Sequence, residues 1–290
     1  MNGEQKGYLE LILFSLFVGT VGVFVRLIEN LDIYSIVFFR ALIAFVFLFF
    51  ITLCRKGIKE LSLASPFRTF LVGLLQGITI FLYFGSILNT TISNAVFLLY
   101  TAPVFSIFIS RVFLKEEIEK ETIIGVFIAL TGIILMLNPR TFSFGSEKTK
   151  GNLMGLGAGF TYSAMTLTAK PLMKKVSSYY VTFWQNLVVC LMFLFFLRPG
   201  AFYGLYTNWW QLLVIGILCT GIPFLLFMEG IKKVRTQKIL IVTTLEPLVG
   251  TLAALLVLKE TPSVLAIIGA MLIIYGVYRV TSVKKVRVFK

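Results

Sequence analysis

Histidine is absent from the 290 residues, aspartate occurs once, as Asp32, and only 14% of the chain is charged. With no imidazole and no clustered carboxylates, His-based or metal-assisted hydrolysis has no parts, and an intramembrane enzyme is disfavoured. No GxxxxGK[ST] loop occurs, so nothing points to nucleotide-driven work. No cofactor and no metal is expected. Cysteine is scarce too: Cys54, Cys190 and Cys219 lack metal or redox spacing, and two of them sit in apolar runs, where the thiol behaves as a small hydrophobe. Polar segments are short, none longer than about 15 residues, which leaves no room for an extramembrane domain. The opening MNGEQKGYLE has no basic n-region, so the first apolar run is expected to be kept as a helix.

What is abundant is apolar: 58% of residues are hydrophobic and the mean hydropathy is +0.93. That composition calls for a bilayer as partner. The net charge of +14 does not call for nucleic acid, because the cations stand in gaps between apolar runs and form no basic domain. Crossing about 30 Å of hydrocarbon takes about 20 helical residues. Barrel strands would alternate, whereas these runs are apolar all round. The reading is an all-α membrane protein with ten helices near 8–28, 33–53, 69–88, 92–114, 122–138, 152–169, 177–197, 210–230, 238–258 and 263–280. Of the Lys and Arg residues, 20 fall in one set of alternate gaps and 6 in the other, with Arg40 left inside a span. The cation-rich side is cytoplasmic by the positive-inside rule. Both termini are therefore expected in the cytoplasm, with the chain in the cell membrane.

The chain also repeats itself. At an offset of 144, Pro103 falls on Pro247, Lys115-Glu116 on Lys259-Glu260, Gly77 on Gly221, Gly125 on Gly269 and Gly132 on Gly276. Two five-helix units result, 6–138 and 151–282, joined by a linker at 139–150 and followed by a basic tail at 283–290. Five is odd, so the second copy crosses in the opposite sense, and the two units are related by a pseudo-twofold axis in the membrane plane. Such an axis places a shared site at mid-membrane, where it can open to either side in turn. A secondary transporter of a small organic solute is the reading that follows. A channel, which would show flux that does not saturate, and a scaffold, which would show none, are the alternatives.

LEPLVGTLAALLVLKE at 245–260, its weaker partner TAPVFSIFISRVFLKEE at 101–117, FFRALIAF at 38–45 and the glycine-spaced fifth and tenth helices resemble the drug/metabolite transporter superfamily, EamA-type ten-helix branch. The resemblance covers residues 6–282. It implies that the first four helices of each unit surround a central cavity while the fifth and tenth lie outside, where a homodimer contact is expected. It implies metabolite or drug movement without naming the cargo. One departure is Ala102, which stands where the second unit has Glu246.

Ionisable groups in a span are costly and face a cavity or a partner. Glu10 and Glu229 lie close enough to the cytoplasmic ends to snorkel. Glu246 lies about 12 Å into its helix, too deep for that. Beside it Pro247 is expected to kink the helix and free the Thr243 carbonyl, with Pro103 as the counterpart in the first unit. Thr243 and Glu246 share a face, and Glu246 is read either as a cavity-lining carboxylate or as one tied to a hydroxyl. Arg40 either attracts an anionic substrate group or holds a structural pair with a carboxylate or helix-end carbonyls. Trp184 and Gln185, at the equivalent level of the second unit, offer an aromatic face and an amide. Tyr83, Tyr100, Thr101 and Tyr162 complete the candidate substrate or coupling set, with Thr101 expected to face Glu246 across one central space.

Overall fold

The computed structural model describes residues 2–62 and 64–282; the basic tail at 283–290 lies outside the described residues. Among those residues there is no strand. The helices form rods α1 (Gly3–Arg26), α2 (Ile33–Lys56), α3 (Pro66–Asn89), α4 (Ile92–Phe113), α5 (Lys120–Met136), α6 (Thr149–Leu172), α7 (Ser178–Leu194), α8 (Trp209–Lys233), α9 (Thr236–Leu258) and α10 (Val264–Ser282). Seven of these, α1 to α4 and α8 to α10, are long and apolar enough to cross a membrane, and the chain is a multi-pass membrane protein. A short helix, Ala201–Thr207, which the sequence reading placed in a loop, precedes α8.

Local chemistry starts and stops these rods. Asp32 caps α2 by accepting from the Tyr34 and Ser35 amides, and Ser177 caps α7 through Tyr180. Gly57, at φ 82°, ends α2 in a conformation that a Cβ would disfavour. Four rods are interrupted near mid-length. The first, α1, breaks at Thr20, and α4 breaks at Tyr100-Thr101. In α8 a π turn opens at Ile217–Gly221, while α9 tightens into a 3-10 turn at Thr243–Leu245. The α4 and α9 breaks are repeat-mates, and Pro103 and Pro247 each stand in the first turn of the half-helix that follows. There a missing N–H costs nothing. The expected free carbonyl at Thr243 is corrected: the 3-10 turn lets the Glu246 amide donate to it.

The duplication is visible in the packing. Any Cβ on Gly132 would come within 2.6 Å of the Gly269 carbonyl, and one on Gly276 within 2.8 Å of the Gly125 carbonyl. Because Gly269 is the repeat-mate of Gly125 and Gly276 that of Gly132, α5 and α10 meet antiparallel through a self-complementary glycine face. Likewise α2 meets α7 antiparallel, with Phe45 stacked on Phe183 at 4.7 Å and Tyr34 on Phe193 at 6.0 Å. The remaining rods form two bundles: α6 lies along α3 and α4, and α1 lies along α8 and α9. Each bundle is the repeat image of the other, and each borrows its third rod from the opposite unit.

The main apolar core lies toward one end. Its members, among them Leu11, Phe14, Met165, Phe227, Ile231 and Ile241, all come from the halves of the rods nearest the Lys- and Arg-rich loops. At the other end the buried apolar residues separate into a cluster between α2 and α7 and another around α4, α5 and α10. These smaller clusters also take partly buried residues from both bundles, Val25 of α1 with Phe81 and Phe84 of α3, and Phe97 of α4 with Leu248 of α9.

Candidate functional site

Glu246 opens the second half of α9, and its Oε2 accepts a 3.0 Å hydrogen bond from Tyr100 Oη at the α4 break. The two mid-rod interruptions thus place one acid and one phenol face to face across the bundle boundary. Tyr83 of α3 and Tyr162 of α6 stand within charge range of the same carboxylate; Tyr100 alone touches it. Glu246 Oε1 is buried and has no hydrogen-bond partner among the described residues. An unpartnered carboxylate oxygen at this depth is costly and able to take up a donor. Chemically the cluster can bind a proton, a cation or a hydroxyl.

Other candidates are placed elsewhere. Thr101 does not face Glu246, contrary to expectation; its hydroxyl donates to the Leu98 carbonyl at 2.6 Å, and it packs on Gly159. The helical turn that carries Tyr100 into the centre carries its neighbour back onto α6. Thr243 is buried, and its hydroxyl donates to Leu240 O at 3.0 Å. Trp184 leaves the site altogether: its indole N–H donates to Leu61 O at 3.2 Å, and its ring lines an apolar groove with Phe70, Leu74 and Val188. Gln185, one residue on, turns inward and is fully buried with neither amide atom partnered. Glu10 and Glu229 do not stand alone at the interface but share Lys233.

Arg40 does not pair with Glu246. It stands beside α8, whose Gly216 presses on the Arg40 carbonyl, and near Cys219 in the π turn. Thr20, at the α1 break, reaches Cys219 Sγ at 3.4 Å, while Gly19 next to it rests on the backbone of Glu246. The α8 π turn is the element that sequence reasoning missed, since ILCTG carries no breaker beyond its final glycine.

The polar contacts across the bundle boundary are one-sided. At the basic end, Ser106 donates to Thr236 O at 3.2 Å, Thr236 Oγ1 to Glu116 at 2.9 Å, and Gln237 to Glu117 O at 2.7 Å. Lys238 pairs with Glu119 at 2.8 Å, and Lys170 donates to Ile231 O at 2.8 Å and also to Val234 O. At the other end every hydrogen bond among the described residues stays inside one bundle: Ser86 to Gly151 O at 2.7 Å in the first, Arg26 to Glu260 at 2.6 Å and Gln211 to Leu27 O at 3.1 Å in the second. A cleft of about 420 Å³ opens there between Gly22, Arg26, Val96, Pro247 and Gly250.

The profile of the EamA-like transporter family matches residues 5–138 and again 149–282. The chain belongs to the EamA-like transporter family. An uncharacterized transporter of Archaeoglobus fulgidus is 30% identical over 278 residues, covering 94% of this chain and 95% of its own. Another, YxxF of Bacillus subtilis, is 25% identical, covering 95% and 90%. A protein of known crystal structure superposes with a TM-score of 0.81 at 18% identity, covering 95% of this chain and 96% of that one, which shows a shared fold. In this EamA-like transporter the doubled family match coincides with the two units whose rods exchange partners about the α5–α10 glycine face.

Proposed function

We propose that this chain is a secondary transporter that moves a small organic solute by alternating access, with ten spans and both termini in the cytoplasm of the cell. It is not an enzyme on this reading. The observation that carries the proposal is the one-sided closure: two repeat-related bundles are cross-linked by polar contacts at the basic end and not at the other. A twofold-related pair of bundles has a second arrangement of similar energy in which the repeat-mates of those contacts form instead. The Tyr100–Glu246 bond, at the level where closure stops, is where solute or coupling ion meets the protein.

Lys170 supports this reading. It caps the carbonyl end of α8, where a cation is favoured. Its repeat-mate is Arg26, and the mates of Ile231 and Val234 are Ile87 and Thr90, at the carbonyl end of α3. Closure of the other end takes Arg26 off Glu260 and onto α3. Because the lysine spans more than a direct disulfide can, cysteines at Lys170 and Val234 are expected to be joined by a short, reducible bifunctional thiol reagent in the conformer described here, and cysteines at Arg26 and Thr90 only in its counterpart. In proteoliposomes either cross-link should stop saturable solute exchange, and reduction should restore it. Joint formation of both bonds in one molecule without loss of exchange would reject alternating access.

Orientation has its own test. In a cysteine-free background, single cysteines replacing Lys56 and Lys232, both exposed at the basic end, should be shielded from an impermeant thiol reagent outside intact cells. One replacing Lys150 should react. The reverse pattern would turn the transporter over.

A further inference from the structure

We propose that Arg40 is the substrate-recognition residue for a monoanionic carboxylate on the transported solute, an inference that rests on the transporter reading above. Lone cations at this depth are costly, and those retained face a partner or a water-filled space. The structure gives Arg40 neither of the structural partners that could have explained it. Among the described residues it makes no ion pair and no side-chain hydrogen bond, and Cys219 is the one ionisable group within charge range of it. Within the rods and at their basic ends the other buried or half-buried cations have partners: Lys170 two carbonyls, Lys233 Glu10 and Glu229, Arg235 and Lys238 Glu119, and Arg279 Glu121, while half-buried Lys148 stands in the loop before α6. The residue retains some exposed surface, and its neighbours Phe39 and Ala41 belong to the cluster at the end away from the basic loops.

Its surroundings are built for approach. The rods packed on α2 are α7 and α8, and α8 is interrupted beside Arg40 by the π turn at Ile217–Gly221, a kind of interruption that clusters at functional sites. Gly216 lets α8 approach α2 closely, since a Cβ there would meet Ile43 at 2.5 Å and the Arg40 carbonyl at 3.3 Å, and Cys219, within charge range of Arg40, contacts the Thr20 hydroxyl. Glu246, whose backbone meets Gly19 next to the α1 break, makes no pair with Arg40, and on this proposal the two address different parts of the solute.

Charge balance selects the class of anion. A guanidinium fork binds carboxylate and phosphate alike. Arg40 is alone, however, and a phosphomonoester carries about 1.5 to 2 negative charges at neutral pH, leaving an excess that no second cation here can balance. A carboxylate brings the pair to neutrality.

The test is thermal stabilisation of the purified full chain, at constant ionic strength, by probes that share a carbon skeleton and differ in one group. Butyrate, butyramide and propyl phosphate form one set; 3-phenylpropionate, its amide and 2-phenylethyl phosphate form another. Wild type should be stabilised saturably by at least one carboxylate and not by its amide or its phosphate counterpart. Arg40→Gln should weaken that titration about tenfold or more, and Arg40→Lys, which keeps the charge without the fork, should fall between. Equal stabilisation by acid and amide, preference for the phosphate, no response to any carboxylate, or an Arg40→Gln titration like wild type would each overturn the proposal. Should Arg40→Gln not fold, wild-type discrimination and Arg40→Lys decide alone. Saturable flux of a neutral or cationic solute with no Arg40 dependence would sink the carboxylate site and leave the transporter standing. Arg40-dependent binding without flux of the bound acid would do the reverse.

Discussion

Glu246→Gln is expected to fold, reach the membrane at wild-type levels and lose about 100-fold or more of gradient-driven flux, which corresponds to about 2.7 kcal/mol. The amide keeps the shape and can still accept from Tyr100, so the 3.0 Å contact across the bundle boundary survives. What is lost is the charge and the ability of Oε1, buried and unpartnered, to exchange a proton or hold a cation. Solute exchange without a gradient should fall much less, because it needs the bundles to move and the site to bind but no net coupling. Tyr100→Phe is the companion variant. It removes the donor while leaving the acid, and it should shift the pH dependence of flux, whereas Glu246→Gln should flatten it. Wild-type coupled transport by Glu246→Gln, with the same pH profile, would reduce the carboxylate to a packing element.

Gly132→Ile should be the most damaging substitution outside the site. A Cβ at Gly132 meets backbone, the Gly269 carbonyl at 2.6 Å, as well as Ile273, so no side-chain rotation can relieve it and α5 must separate from α10. Overpacking of this kind costs about 3 kcal/mol, read as a lowered unfolding midpoint in detergent. Nothing lies within 4 Å of a Cβ added at Gly22, and Gly22→Ala should leave the midpoint within about 0.5 kcal/mol of wild type. Equal effects at the two positions would mean that the glycine face does not hold the outer rods.

Several features followed from the chain alone because they depend on composition and period. Apolar runs of about 20 residues cannot be stable in water or as open sheet in lipid, which decided a multi-pass helical protein. The offset of 144 brought Gly125 onto Gly269 and Gly132 onto Gly276, and an odd count of helices then required inversion. The glycines do meet crosswise in α5 and α10, as a twofold demands. Glu246 and Tyr100 were legible as candidates because burial of their polar groups has a cost wherever the helix lies.

Which groups meet was not legible. A helix turns about 100° per residue, so Tyr100 and Thr101, adjacent in sequence, point to different neighbours, and so do Trp184 and Gln185. Only the packing of α4 on α6 decided that Tyr100 would reach Glu246 while Thr101 returned to Leu98 O. The Thr243 carbonyl was reclaimed by a 3-10 turn that proline alone does not specify. Arg40 was ambiguous for the same reason: a sequence shows that a cation is in a span, but whether a partner stands within hydrogen-bond reach depends on the rotation and approach of α1 and α8. Those are set by Gly19, Gly216 and the π turn, contacts between residues about 200 positions apart that no local pattern encodes.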